Sequence, residues 1–166
     1  FGLPYTIFRF FNTYGPDQSE DFVVPRFVRA ALRGEPLTVY GDGSQTRTFC
    51  YVDDTVDACV AAHVTGQFIN DVVNIGSDQE ISILELARMV IRITGSDSKI
   101  VHLPPLREGD MTRRRPDVTK MRKLLSRPLI PLEEGIRRLA KHYLERDGDA
   151  RLAPAGSGEA EGRLQQ

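Results

Sequence analysis

The stretch "RGEPLTVYGDGSQTRTFCYVDD", Arg33 to Asp54, decides the fold class. "LTVY" is short and β-favouring, "GDGSQ" is made of turn residues, and "RTFCYV" is β-favouring again. Asp53 or Asp54 then stands where a helix would begin, and either carboxylate is expected to cap its free N–H groups. Just upstream, Val23, Val24, Phe27, Val28, Ala31 and Leu32 recur at helical spacing, with Gly34 placed to close that helix. Strands alternating with helices point to an α/β protein with parallel pairing. The "GDG" turn fits a hairpin better than a phosphate cradle.

Working outward, "LPYTIFRFF" (Leu3 to Phe11) reads as a buried strand whose one charge is Arg9. "NTYGPDQSED" is punctuated by Asn12, Gly15 and Pro16 and reads as a loop. "VVNIG" is a further strand, and "SILE" (Ser82 to Glu85) is a capping box opening the helix "ILELARMVIRIT", closed by Gly95. "KIVHL" is a strand, "PPLREGDMTRRRPD" a loop, and helices are expected over Val118 to Leu125 and Leu132 to Glu145. Residues 148–166 are small, polar and Gly/Ala-rich and are expected to form a disordered tail, leaving 1–147 as the folded part. A parallel sheet needs neighbours on both edges and cover on both faces. So few central strands imply partners outside this sequence, and the start at Phe1, without Met, points to a piece of something longer.

Composition excludes several classes. With 166 residues, 40% apolar and 27% charged, the chain is about one soluble domain. A net charge of −1 supplies no field to draw nucleic acid or an anionic membrane. No apolar run approaches the ~20 residues that cross a bilayer. No secretory signal is visible, so a cytoplasmic location is expected. Cys50 and Cys59 make no disulfide framework, and they and the scattered His63, His102 and His142 lack metal-ligand spacing.

Four motifs in order carry a resemblance: "RFFNTYGP", "VVPRFVRAALRGEPLTVYGDGSQTRTFCYVDD", "NIGSDQEISILELA" and "REGDMTRRRPDVTK". Together they resemble the C-terminal half of the NAD-dependent nucleotide-sugar epimerases and dehydratases, which are extended short-chain dehydrogenases. The match runs from about Phe1 to Leu144. It implies a partial Rossmann-like parallel sheet plus the smaller C-terminal substrate-binding subdomain. The family's first half supplies a Gly-rich NAD loop and a Tyr-x-x-x-Lys pair. Here the residues four beyond the five tyrosines are Arg9, Gln18, Ser44, Thr55 and Asp147, never Lys. No catalytic residue is therefore assigned to this chain, and the chain by itself is expected to be inactive.

The resemblance implies a nucleotide-sugar site residue by residue. Asn12 goes to the phosphate–sugar region, where an amide donor suits an anion. Thr38, Val39 and Tyr40 lie along the uracil or thymine edge. Arg47 grips the diphosphate with its forked charge. In "REGD", Arg107 meets phosphate and Asp110 accepts from the ribose hydroxyls, while Arg114 could add to the phosphate grip or be a solvated charge. Thr13 and Tyr14 are similar to positions near NAD. Against these stand plain readings: a turn-forming Asn, an edge strand, a surface Arg. Asp53, Asp54 and Asp57 are read as cap and helix surface, not as acid/base carboxylates.

The implied partner is a UDP- or dTDP-hexose, and the reaction passes through a C4 ketone. A UDP-sugar 4-epimerase is the first reading, with UDP-glucuronate decarboxylase and dTDP-glucose 4,6-dehydratase as alternatives from the same family. A non-catalytic nucleotide-sugar binding module is the alternative from another class. "RRRPDVTK" and "LEEGI" lean toward the decarboxylases. Against them, Phe22 stands where those enzymes usually carry an arginine, and "REGD" is more like the 4-epimerases. The family's Gly-Trp before the last helix is also absent, which puts packing near Ser126 in question. A homodimer is what the resemblance implies for the intact enzyme.

Overall fold

The computed structural model describes residues 2–105 and 115–146. Its elements alternate in type, as the sequence pattern requires: β1 (Thr6–Phe10), β2 (Thr13–Tyr14), α1 (Val23–Arg33), β3 (Leu37–Tyr40), β4 (Thr46–Thr48), β5 (Cys50–Tyr51), α2 (Val52–Thr65), β6 (Asp71–Ile75), β7 (Glu80–Ser82), α3 (Ile83–Thr94), β8 (Ile100–Leu103), α4 (Thr119–Leu124) and α5 (Leu132–Arg146). The strands form pairs, not one sheet. β1–β6, β2–β5 and β3–β8 are parallel, and β4–β7 is antiparallel.

Helix signals in the sequence act where expected. α1 buries Val24, Phe27, Val28 and Ala31, and Gly34 (φ 70°) ends it by donating to the carbonyls of Ala30 and Ala31. α3 begins with the full capping box: Glu85 N–H donates to Ser82 Oγ, and Ser82 N–H donates to the Glu85 carboxylate. The Ser82 hydroxyl, with the Ser82 N–H, donates to the Glu85 carboxylate and holds it below the ordinary glutamate range.

Two cores result. In one, α1, α3 and α5 pack on Leu37 and Val39 of β3, together with Tyr14 and Tyr51. In the other, α2 and α4 pack on Val73 and Ile75 of β6 through Ala58, Ala62, Met121 and Leu124, with Phe8 of β1 against them.

Three expectations need correction. β1 is not buried: Ile7 is 49% and Phe10 58% exposed. Among the described elements it pairs only with β6, and the helical cover lies on the face of Phe8, leaving Ile7 on the bare side. The "GDG" turn closes no hairpin, because β3 pairs with β8 and β4 with β7. Its Gly43 instead packs against the start of α3, accepting from Leu84 N–H at 3.1 Å. A Cβ on Gly43 would lie 2.7 Å from Val39 Cγ1, and its φ is 76°.

The third concerns α2, which starts at Tyr51 with no side-chain cap. Asp54 is 0% exposed and turned inward. It accepts from Ile130 N–H at 2.9 Å and pairs with Arg127 at 2.5 Å. Arg127 also reaches Asp57 at 2.6 Å. These contacts fasten the run before α5, where the family's Gly-Trp is missing.

Gly135, inside α5, is the tightest contact. A Cβ there would lie 2.0 Å from the Tyr14 hydroxyl and 2.9 Å from Tyr51 Cδ2. A mid-helix glycine costs helix stability, and this one is needed so that α5 can close on Tyr14. Gly135→Ala is expected to destabilise the chain by about 1–3 kcal/mol through overpacking. Urea unfolding measures it, and an unchanged midpoint would show that α5 is not seated this way.

Candidate substrate-binding site

The site begins where β1 ends. Phe11 N–H still donates to Ile75 carbonyl at 2.8 Å, and Asn12 then turns the chain with φ 40°. Asparagine is one of the few non-glycine residues that enter this region readily. Its carbonyl accepts from Cys50 N–H at 3.2 Å, and its side-chain Nδ2 donates to Thr48 carbonyl at 3.0 Å. These bonds bring Asn12 beside the strand that carries Arg47. Arg47 is half-buried, pairs across β4–β7 with Ile81, and donates to its neighbour Thr46 carbonyl at 2.7 Å.

β3 divides its labour by parity. Leu37 N–H donates to Lys99 carbonyl and Gly41 N–H to Leu103 carbonyl, both toward β8. The two-residue period turns the Val39 backbone the same way, while its side chain is 0% exposed in the core. Thr38 and Tyr40 therefore present their backbone groups to the other edge of β3. The Tyr40 carbonyl on that edge accepts from Gln45 Nε2 at 3.2 Å. An incoming ring can be read by Thr38, whereas Val39 only shapes the strand.

The following turn is braced. His102 Nδ1 donates to Gly41 carbonyl at 2.8 Å. The Ser44 N–H and hydroxyl both donate to Asp42, holding its carboxyl below the ordinary aspartate range. Gln45 and His102 thus brace this turn, a placement the sequence pattern did not single out. The turn chemistry around "GDGSQ" marks Gln45, but nothing local marks His102, which arrives by register.

Arg107, Asp110 and Arg114 lie outside the described residues. The flanks of their segment are placed. On one side Leu103 pairs with Tyr40, and Pro105 lies by Gly41. On the other, Pro116 is buried against Gly76, which also touches Phe11. The segment thus leaves beside the end of β3 and returns beside the residue that precedes Asn12.

Thr13 and Tyr14 face inward. Thr13 Oγ1 is 3.2 Å from Thr55 Oγ1. Tyr14 is 2% exposed, its hydroxyl donates to Leu132 carbonyl at 3.3 Å, and burial pushes its phenol well above the ordinary tyrosine range. As placed, the Thr13 hydroxyl and the Tyr14 phenol are both engaged inside the protein. A cleft of about 490 Å³ between α3 and the 129–132 segment is lined by Phe49, Met89, Arg92 and Ile130 among others. Among the described residues, none of the predicted site residues lines it.

Cys50, whose N–H holds Asn12, reports on this corner. It is 2% exposed and burial pushes its thiol up to about 11, whereas Cys59 is partly exposed. At pH 8 iodoacetamide is expected to alkylate Cys59 at least about tenfold faster than Cys50, because the thiolate is the nucleophile. Equal rates, read by peptide mass spectrometry, would mean that the Asn12–Cys50 corner is open.

Comparison with known proteins gives a consistent picture. The family model described as NAD dependent epimerase/dehydratase family matches residues 1–76. UDP-N-acetyl-alpha-D-glucosaminuronate decarboxylase of Bacillus cytotoxicus is 43% identical, over 89% of this chain and 49% of its own length. UDP-glucuronic acid decarboxylase 1 of Xenopus tropicalis is 40% identical, over 88% of this chain and 34% of its own. The crystal structure of UDP-glucose 4-epimerase from Thermotoga maritima with UDP-glucose superposes with a TM-score of 0.80 and 36% identity, covering 87% of this chain and 47% of that one. The UDP-glucuronic acid 4-epimerase of Bacillus cereus, in complex with UDP-glucuronic acid and NAD, gives 0.75 and 34%, covering 85% and 45%. The chain thus spans between about a third and a half of the length of these relatives.

Proposed function

Since the chain belongs to the NAD-dependent epimerase/dehydratase family, we propose that it is the part of a UDP-sugar enzyme that grips the nucleotide. One observation carries this reading: Asn12 is hydrogen-bonded to the carbonyl next to Arg47, while β3 leads through the 41–45 turn into the strand that carries Arg47 and the flanks of the "REGD" segment lie by Gly41 and Gly76. Thr38 reads the base by backbone contacts, Arg47 holds the diphosphate, and Arg107 and Asp110 hold phosphate and ribose. Held at these points, the nucleotide fixes the position of the sugar. NAD supplies the redox chemistry at C4 when bound, and its contacts belong to other parts of the intact enzyme. This chain binds and orients, and by itself turns nothing over.

Epimerisation at C4 is the first reading, supported by "REGD" and by Phe22. That residue sits 56% exposed just before α1 and has no charge with which to pair a sugar carboxylate. Decarboxylation is the second, favoured by the 43% and 40% identity to the two decarboxylases. In the intact enzyme, interconversion of UDP-glucose and UDP-galactose supports the first, and release of CO2 from UDP-glucuronate supports the second.

Calorimetric titration of the chain tests the grip itself. UDP is expected to bind more tightly than uridine. Arg47→Ala is expected to weaken UDP by about ten- to a hundredfold, the loss of a charged hydrogen-bond donor, with uridine unaffected. Absence of UDP binding, or equal loss for both ligands, would overturn the assignment.

A further inference from the structure

We propose that Asn12 is a positioning residue that sets the reach of Arg47 by clipping the backbone beside it. The proposal rests on the reading of Arg47 as the diphosphate ligand. Between Thr48 and Cys50 the chain leaves the β4–β7 pair and enters the β2–β5 pair. A backbone that changes partners has no continuous ladder to hold it, and something else must take up its polar groups.

Asn12 does this from both sides of the crossing. Its Nδ2 donates to the Thr48 carbonyl, and its own carbonyl accepts from Cys50 N–H. The bonds bracket Phe49, whose ring stands edge-on to Tyr14 at 6.4 Å between centroids. Thr48 is 0% exposed, and its hydroxyl has no hydrogen-bond partner among the described residues, so within them the residue is held by its backbone. Arg47 is therefore paired with Ile81, and the Thr48 that follows it, the last residue of the ladder opposite Glu80, is tied through its carbonyl to Asn12.

The residue type fits the task. A short amide offers the needed N–H and tolerates φ 40°, whereas an aspartate of equal size has no donor. The carbonyl oxygen of the Asn12 side chain has no hydrogen-bond partner among the described residues. Direct contact with the nucleotide is thus the competing role, and the two roles predict different couplings.

A double-mutant cycle with UDP separates them, using the wild-type chain, Asn12→Gly, Arg47→Ala and the double variant. Glycine accepts the left-handed backbone without strain, so the side-chain amide is lost with the backbone left in place, and the coupling to Arg47 tells its two roles apart. Asn12→Gly is expected to weaken UDP about tenfold alone and less than about twofold in the Arg47→Ala background, the signature of coupled residues. Equal losses in both backgrounds would overturn the proposal and make Asn12 an independent ligand, as would no loss in either.

A second readout needs no ligand: the Arg47 Nε–H resonance in a ¹H–¹⁵N spectrum. It is expected to shift or broaden in Asn12→Gly, and an unmoved signal overturns the clip. Should glycine unfold the chain, Asn12→Asp, which keeps the size but removes the N–H, gives the same readout. Failure of the wild-type chain to bind UDP would strike the nucleotide reading alone, because the Arg47 signal is judged without it.

Discussion

Everything near the site hangs on the seating of Tyr14. Its ring stands edge-on to Tyr51 at 5.4 Å and to Phe49 at 6.4 Å, and its hydroxyl ends on the Leu132 carbonyl at the start of α5. Edge-to-face aromatic pairs add about 0.5–1.5 kcal/mol each beyond the area they bury. A buried hydroxyl without a partner would cost about as much or more, so the Leu132 carbonyl is part of the arrangement and not an addition to it. Because Tyr14 lies two residues beyond Asn12, the first core transmits its rigidity directly to the corner that holds Arg47.

The second constraint is electrostatic. Asp54 is fully buried, and its charge is answered by Arg127, whose side chain remains 37% exposed. A buried carboxylate tolerates its desolvation only when paired and hydrogen-bonded, and both conditions are met by Arg127 and the Ile130 N–H. The pair brings the residues leading into α5 down onto α2. It thereby fastens this stretch by a charge held against a helix.

How much of this was legible in the sequence depended on range. α1 and α3 could be read almost to the residue, because the apolar spacing, the Ser82–Glu85 capping box and the closing Gly34 and Gly95 are local signals. β2 and β7 escaped notice, since two or three residues carry no period, and strands that short exist only where a distant partner meets them. The split of "RTFCYV" into β4 and β5 was hidden for the same reason: both halves favour strand, and only their different partners separate them. Asp54 looked like a cap because it stands in the first turn of a helix, and nothing local announces an arginine seventy-three residues away. The exposure of β1 was invisible because its composition is that of an interior strand.

The site shows the same division. Asn12, Arg47 and the β3 strand were singled out through motifs, but motifs do not say which atom faces a ligand. Parity does. Val39 spends its side chain on the core and its backbone on β8, so it can contribute only shape, while Thr38, one residue away, keeps the open edge. Likewise Asn12 carries one bond into the protein through Nδ2, and its side-chain oxygen has no hydrogen-bond partner among the described residues. Small two-stranded pairs are marginal alone in water, so a site drawn from the β3–β8, β4–β7 and β2–β5 pairs cannot be held by any one of them. Its geometry comes from what joins the pairs: the core in which α1, α3 and α5 pack on β3, Tyr14 and Tyr51, and bonds such as the Asn12 amide to Thr48, which links segments thirty-six residues apart.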